Sequence, residues 1–218
     1  MVVGYQISNR LMRQLLCWLL AVVLLACGQN GPAFPPLKTD ATIVFFGDSL
    51  TYGTGAGPEQ DMPSLVAKEL PFRVQNAGVP GNTTQDGLNR LEETLNQPID
   101  LLIIGLGGND FLRHIPLAET KRNLKQMIHL AKAKGVRVLL MAIPQPSLGA
   151  AAFGNLSDHP VYEEIAEEER IELIHDVFTK VLSNNATKSD QIHPNAKGYA
   201  LVKDQLITEL RRLGLIKN

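Results

Sequence analysis

Cysteine is scarce in this 218-residue chain: Cys17 and Cys27 are the only two. A pair of thiols cannot build a disulfide framework, and a cysteine-rich metal centre is excluded with it. Charge of one sign is equally lacking. Against 22 acidic residues stand 21 basic ones, with no basic stripe, so no nucleic-acid partner is expected. The five histidines do not recur at ligand spacing: His114, His129, His159 and His175 read as surface or core residues, and no metal site is expected. No internal repeat is evident. The unbroken apolar run over residues 15–25 is too short for a helix crossing a bilayer of roughly 30 Å.

That run has another use. Arg10 and Arg13 precede it, and Leu24-Leu25-Ala26-Cys27 closes it. A positive start, a short apolar core and a small residue at the end make a secretion signal. The four closing residues resemble the bacterial lipobox, which implies cleavage before Cys27 and lipidation of that cysteine. The expected product is an exported lipoprotein held to a membrane on the periplasmic or cell-surface side. Loss of residues 1–26 removes two of the 21 basic residues and none of the 22 acidic ones, leaving a net charge of −3. Cys27 then becomes the sole cysteine, and no internal disulfide can form. Residues 27–40, rich in Gly and Pro, read as a tether. Residues 41–218 read as one globular domain.

Within that domain apolar runs alternate with helical patterns. Strands are predicted at residues 42–46, 72–76, 101–104, 136–143 and 171–174. Helices are predicted at 61–70, 83–96, 117–134 and 162–169, and from Pro194 to about Leu213. Gly135 reads as the residue that ends the third of these. Repeated strand–helix units imply an α/β fold with a parallel sheet covered on both faces.

In such sheets, sites form beyond the carboxyl ends of the strands. Ser49, in Gly47-Asp48-Ser49-Leu50, follows the first strand. The stretch Asn76-Ala77-Gly78-Val79-Pro80-Gly81-Asn82 follows the second. Asn109, in Gly107-Gly108-Asn109-Asp110, follows the third. Asp190 and His193 lie three apart before the last helix. A carboxylate there can hold the imidazole so that its second nitrogen takes a proton from serine. The Ser49 amide, the Gly81 amide and the Asn109 side chain are candidate donors to an oxyanion. Asp48 and Asp110 read as structural. Gly53-Thr54-Gly55-Ala56-Gly57 has no Walker lysine and reads as a loop near the site. Glu163, Glu164, Glu167, Glu168 and Glu169 read as a solvated acidic face.

Together these blocks resemble the SGNH, or GDSL-type, hydrolase superfamily. Within it the chain is most similar to the bacterial thioesterase I/lysophospholipase/arylesterase branch. The resemblance implies a three-layer α/β/α fold with about five parallel strands in flavodoxin-like order. It implies a triad of Ser49, Asp190 and His193, and an oxyanion hole of Ser49, Gly81 and Asn109. Gly78 is a second candidate for the glycine donor. The implied substrates are small acyl esters or thioesters, including lysophospholipids, and no cofactor is called for. Residues 144–160 match no family pattern but follow the fourth strand, so they are expected to border the acyl site. Two alternatives stay open: a carbohydrate O-acetyl esterase of the same superfamily, and a non-catalytic binding module. A Gly-x-Ser-x-Gly hydrolase is disfavoured, since Thr51 stands where its second glycine would be.

Overall fold

The computed structural model describes residues 35–146 and 155–217. Cys27, the expected signal segment and most of the expected tether lie outside the described residues, as do positions 147–154.

Five strands form one all-parallel sheet: β1 (Thr42–Gly47), β2 (Arg73–Gly78), β3 (Leu101–Gly105), β4 (Arg137–Met141) and β5 (Glu172–Ile174). Their spatial order is β2-β1-β3-β4-β5, the flavodoxin-like winding. β1 and β3 are the central pair, and the residues Ile43–Gly47 and Leu101–Gly105 are buried throughout. Strands covered on both faces need apolar side chains at every position, which is why these segments run unbroken rather than alternating. The edge strand β2 has a largely exposed pattern, and its sequence Arg73-Val74-Gln75-Asn76 is accordingly mixed.

Eight α-helices are described: α1 (Ser49–Tyr52), α2 (Met62–Glu69), α3 (Thr84–Thr94), α4 (Gly108–Leu112), α5 (Leu117–Ala133), α6 (Val161–Glu169), α7 (Val177–Leu182) and α8 (Ala196–Arg212). The five long helices fall where periodicity predicts them. Their ends shift by a residue or two because capping residues lie outside the helical turns. Asp61, Thr83 and Asn195 are N-caps, and Thr83 forms a reciprocal capping box with Asp86. The last helix therefore starts after Asn195, not at Pro194. The short helices α1, α4 and α7 were not predicted. Each has six residues or fewer, too few for a periodic pattern to register.

The core is continuous across both faces of the sheet. Phe45, Phe46, Leu91, Leu124, Ile128, Tyr162 and Tyr199 are completely buried. Of the expected tether, Pro35 to Asp40 falls in the described part and lies against the domain. The Leu37 amide donates to the Leu215 carbonyl at 2.8 Å, and Arg137 Nη1 donates to the Pro35 carbonyl at 2.9 Å.

The acidic stretch on α6 is exposed as expected, except at Glu169, and three of its acids are also paired with lysines. Lys121 bridges Glu164 and Glu168, Lys125 bridges Glu168 and Glu169, and His129 meets Glu169 at 2.6 Å. α5 supplies the opposite charges, so the acids join the two helices. The pairing escaped the sequence because its partners lie some forty residues upstream.

Candidate active site

β1 and β3 leave the sheet on the same edge, at the point where the winding reverses direction. Ser49 opens α1 directly after β1, and Asn109 sits in α4 directly after β3. α1 packs on the strand ends so closely that a Cβ at Gly47 would lie 2.0 Å from Thr51 Oγ1 and 2.7 Å from the Gly105 carbonyl. Only glycine fits, and that contact fixes where the following turn places Ser49.

The loop carrying Asp190 and His193 is closed by its own hydrogen bonds. The Ser189 amide donates to the His193 carbonyl at 2.9 Å, and Lys188 pairs with Pro194 in an isolated antiparallel bridge. Asn195 caps α8 through the Gly198 amide, and its side-chain amide donates to the carbonyls of Ala186 and Lys188. Gly55, in the glycine-rich loop after α1, comes against Ser189 and the Pro194 carbonyl. That loop is thus a packing partner of the histidine loop.

These two settings bring Ser49 Oγ to 3.0 Å from His193 Nε2, across 144 residues of chain. His193 Nδ1 lies 2.8 Å from Asp190 Oδ2. Asp190 Oδ1 accepts the amides of Ile192 and His193, each at 2.8 Å. With Nδ1–H donating to Asp190, Nε2 is left to accept from the Ser49 hydroxyl. Partial burial works against the Asp190 carboxylate. The imidazole and the two amides outweigh it and hold its pKa below the ordinary carboxylate value. The three residues singled out from the sequence are therefore joined in one hydrogen-bonded chain.

Of the oxyanion candidates, Asn109 lines the same cleft as Ser49, and the Gly81 loop is bonded to Asn109. The Ser49 amide is in the first turn of α1 and has no intrahelical acceptor. Asn109 Nδ2 donates to the Asn82 carbonyl at 3.0 Å and, more loosely, to Asp48 Oδ2 at 3.4 Å. Gly81, one residue before Asn82, has a φ of +82°, and its carbonyl accepts from Arg113 Nη2 at 2.9 Å. Gly78 is packed against α1, where a Cβ would meet the Tyr52 backbone nitrogen at 2.2 Å. Its close contact explains that glycine sterically and leaves Gly81 as the donor candidate.

Two acids beside the site are wholly enclosed. Burial, opposed by the Leu50 amide and by His193, pushes the Asp48 carboxyl up to about 6 from the ordinary 3.8. Asp110 accepts from the Thr84 amide at 2.8 Å and from the Thr84 and Thr120 hydroxyls. It ties α4 to the start of α3 and to α5, a structural role as read from sequence.

A cleft of about 400 Å³ runs from Ser49 and His193. Leu50, Phe111, Leu112, Ile143, Leu182 and Ile192 give it an apolar wall. Phe111 is held by stacking on His159 at 4.2 Å, with Tyr162 edge-on behind it. Phe111, Leu112 and Leu182 escaped the sequence reading, because α4 and α7 left no periodic trace, whereas Pro144, Gln145, Pro146 and Leu156 line the cleft from the segment after the fourth strand, as expected. Arg90 escaped it too, although an arginine three residues after buried Gly87 on an amphipathic helix was a usable sign. Among the described residues no group of three or more His, Cys, Asp or Glu could hold a metal ion.

Comparison with known proteins shows the family of the chain. Residues 45–201 match the model of the GDSL-like lipase/acylhydrolase family. An arylesterase of Vibrio mimicus is 30% identical over 175 residues, covering 77% of this chain and 87% of that protein. Thioesterase 1/protease 1/lysophospholipase L1 of Escherichia coli K12 is 30% identical, covering 79% and 84% respectively. The crystal structure of TesA superposes with a TM-score of 0.70 at 30% identity, over 79% of this chain and 99% of that one. By sequence, winding and the setting of its serine, the chain belongs to the GDSL-like lipase/acylhydrolase family and is an esterase of the SGNH type.

Proposed function

We propose that the protein hydrolyses carboxylic esters or thioesters, lysophospholipids among them, through an acyl intermediate on Ser49. The observation that carries this reading is the unbroken chain Ser49 Oγ–His193–Asp190 opening into an apolar cleft. Ser49 Oγ attacks the acyl carbonyl as His193 Nε2 takes its proton. The former carbonyl oxygen gains a negative charge, to be met by the amides of Ser49 and Gly81 and by Asn109 Nδ2. The long bond from Asn109 to Asp48 is the one that can be exchanged for the oxyanion at least cost. His193 then gives its proton to the leaving alcohol or thiol. Water, activated by the same imidazole, releases the acid and restores the serine. The cycle calls on no cofactor.

The names of the relatives support the substrate range: arylester, thioester and lysophospholipid each occur among them. The apolar cleft wall favours an acyl chain over the polar face of a sugar, and so disfavours a carbohydrate O-acetyl esterase. A binding module would have no use for an aligned Ser–His–Asp chain.

The test is a variant series on p-nitrophenyl butyrate with fluorophosphonate labelling. Ser49→Ala is expected to lose the label and about 10⁶ in kcat. Asp190→Asn is expected to lose about 10⁴. Full turnover in Ser49→Ala rejects the mechanism. We further propose the lipid-anchored location read from residues 10–27, which Cys27→Ser tests by moving the protein out of the membrane fraction.

A further inference from the structure

Three side chains hold the loop after β2 in place. Asn109 Nδ2 reaches the Asn82 carbonyl at 3.0 Å, and Arg113 Nη2 reaches the Gly81 carbonyl at 2.9 Å. The third is Arg90 on α3, whose Nε donates to Asn82 Oδ1 at 2.8 Å. Arg90 differs from the others in what its second edge does. Its Nη2 donates to the Gly47 carbonyl at 2.9 Å, at the last residue of β1 and two before Ser49. One planar group thus spans the strand that delivers the serine and the loop that delivers Gly81.

The surroundings of the guanidinium suit a fixed spacer. Its centre lies 3.9 Å over the ring of Phe46, which is completely buried. Both of its described acceptors are neutral oxygens, and among the described residues it makes no ion pair within 4.0 Å. Burial lowers its pKa, while the negative fields of Asp48 and Asp86 oppose that shift. A half-buried cation given to two uncharged oxygens and a ring is a poor source of stability. A rigid fork joining two loops is what a guanidinium offers and an ammonium does not.

We infer that Arg90 is a positioning residue, which sets the separation of the Ser49 turn from the Gly81–Asn82 loop and thereby the shape of the oxyanion site. The inference rests on the esterase reading above. It does not touch the bonds among Ser49, His193 and Asp190. Its effect belongs in the stabilisation of the developing negative charge, where a shift of about 1 Å can cost about 100-fold.

The experiment compares Arg90→Gln, Arg90→Lys, Asn82→Ala and the Arg90→Gln/Asn82→Ala double variant on p-nitrophenyl butyrate, with Tm measured for each. Arg90→Gln and Arg90→Lys are both expected to lose about 10- to 100-fold in kcat, with KM within about threefold. The acid limb of the pH–rate profile is expected to stay in place, because the imidazole keeps both its partners. Asn82→Ala removes only the side-chain acceptor and is expected to show a comparable loss. In the double variant the losses are expected not to multiply, since both substitutions break one link. A folded Arg90→Gln with kcat within twofold of the parent overturns the assignment. Full activity in Arg90→Lys, or losses that multiply in the double variant, overturns it as well. Should Arg90→Gln fail to fold, Asn82→Ala decides alone, and kcat within twofold there is fatal. Ser49→Ala runs alongside. Its inactivity beside an unimpaired Arg90→Gln rejects the role of Arg90 only, whereas its full turnover rejects the esterase reading and this inference with it.

Discussion

Asp48 carries a charge where the protein would rather not have one. Its carboxyl is fully buried one residue before Ser49, with Oδ1 on the Leu50 amide and Oδ2 near Asn109. Burial raises its folded pKa from the ordinary 3.8 to about 6. Well below pH 3.8 the group is neutral in both the folded and unfolded chain. Between pH 4 and 6 the unfolded chain releases the proton while the folded one keeps it, so stability falls as pH rises through that window. The shift of about two pKa units corresponds to about 3 kcal/mol lost by pH 8. Asp48→Asn keeps an oxygen for the Leu50 amide and removes the titration. Urea unfolding is expected to show the variant gaining about 2 kcal/mol on the parent between pH 4.5 and pH 8. A parent–variant difference constant to within about 0.5 kcal/mol across that range would contradict the assignment. At this scale the sequence was legible wherever chemistry dictated residue type. Ser49, Asn109, Asp190 and His193 were visible because few other residues do their work. Arg90 and Phe111 were not, because an arginine or phenylalanine on a helix has many ordinary uses.

Among the elements, legibility followed length. α5, with 17 residues, gives a clear apolar stripe and a glycine stop at Gly135. α4 has five residues and gives none, yet it carries Asn109 and Phe111. The site is thus built on the elements hardest to see. α8 shows how a long helix serves it from outside. A Cβ at Gly198 would lie 2.1 Å from the Thr187 carbonyl and 2.9 Å from Pro194 Cβ, so the helix rests directly on the loop bearing Asp190 and His193. Gly198→Ala is expected to lift that loop, lowering stability by about 2 kcal/mol and kcat by about tenfold or more. Gly135→Ala is the control. Its φ of +74° strains an alanine, but nothing lies within 4 Å of the added carbon. It is expected to cost about 1 kcal/mol and to leave kcat unchanged. Equal kcat losses in the two variants would show that the loop does not depend on α8 contact.

In the molecule as a whole, the site and Pro35 lie at opposite edges of the sheet. Ser49, Asn109 and the cleft lie beyond the carboxyl ends of the strands. Pro35 lies at the opposite edge, where Arg137 at the start of β4 holds its carbonyl. β1 has six residues, so roughly 20 Å of strand separates the two edges. Lipidation at Cys27 would act through the far edge. Cys27→Ser is therefore expected to release the protein from the membrane fraction with kcat on p-nitrophenyl butyrate within about twofold of the parent, as substitutions remote from a site leave it intact. Retention in the membrane fraction would reject the anchor, and a large loss of kcat would reject the separation of the two edges. The parallel sheet was legible from strand–helix alternation and its winding from the family resemblance, whereas the approach of Leu37 to Leu215 was not, since nothing local marks a contact between segments so far apart.

That contact bears on how the protein can be handled. With Leu37 bonded to Leu215, the leading and trailing segments of the domain lie side by side behind the sheet. A bead, a fusion partner or a bilayer joined ahead of Pro35 would hold the domain by its back, leaving the mouth free to meet substrate arriving from solution.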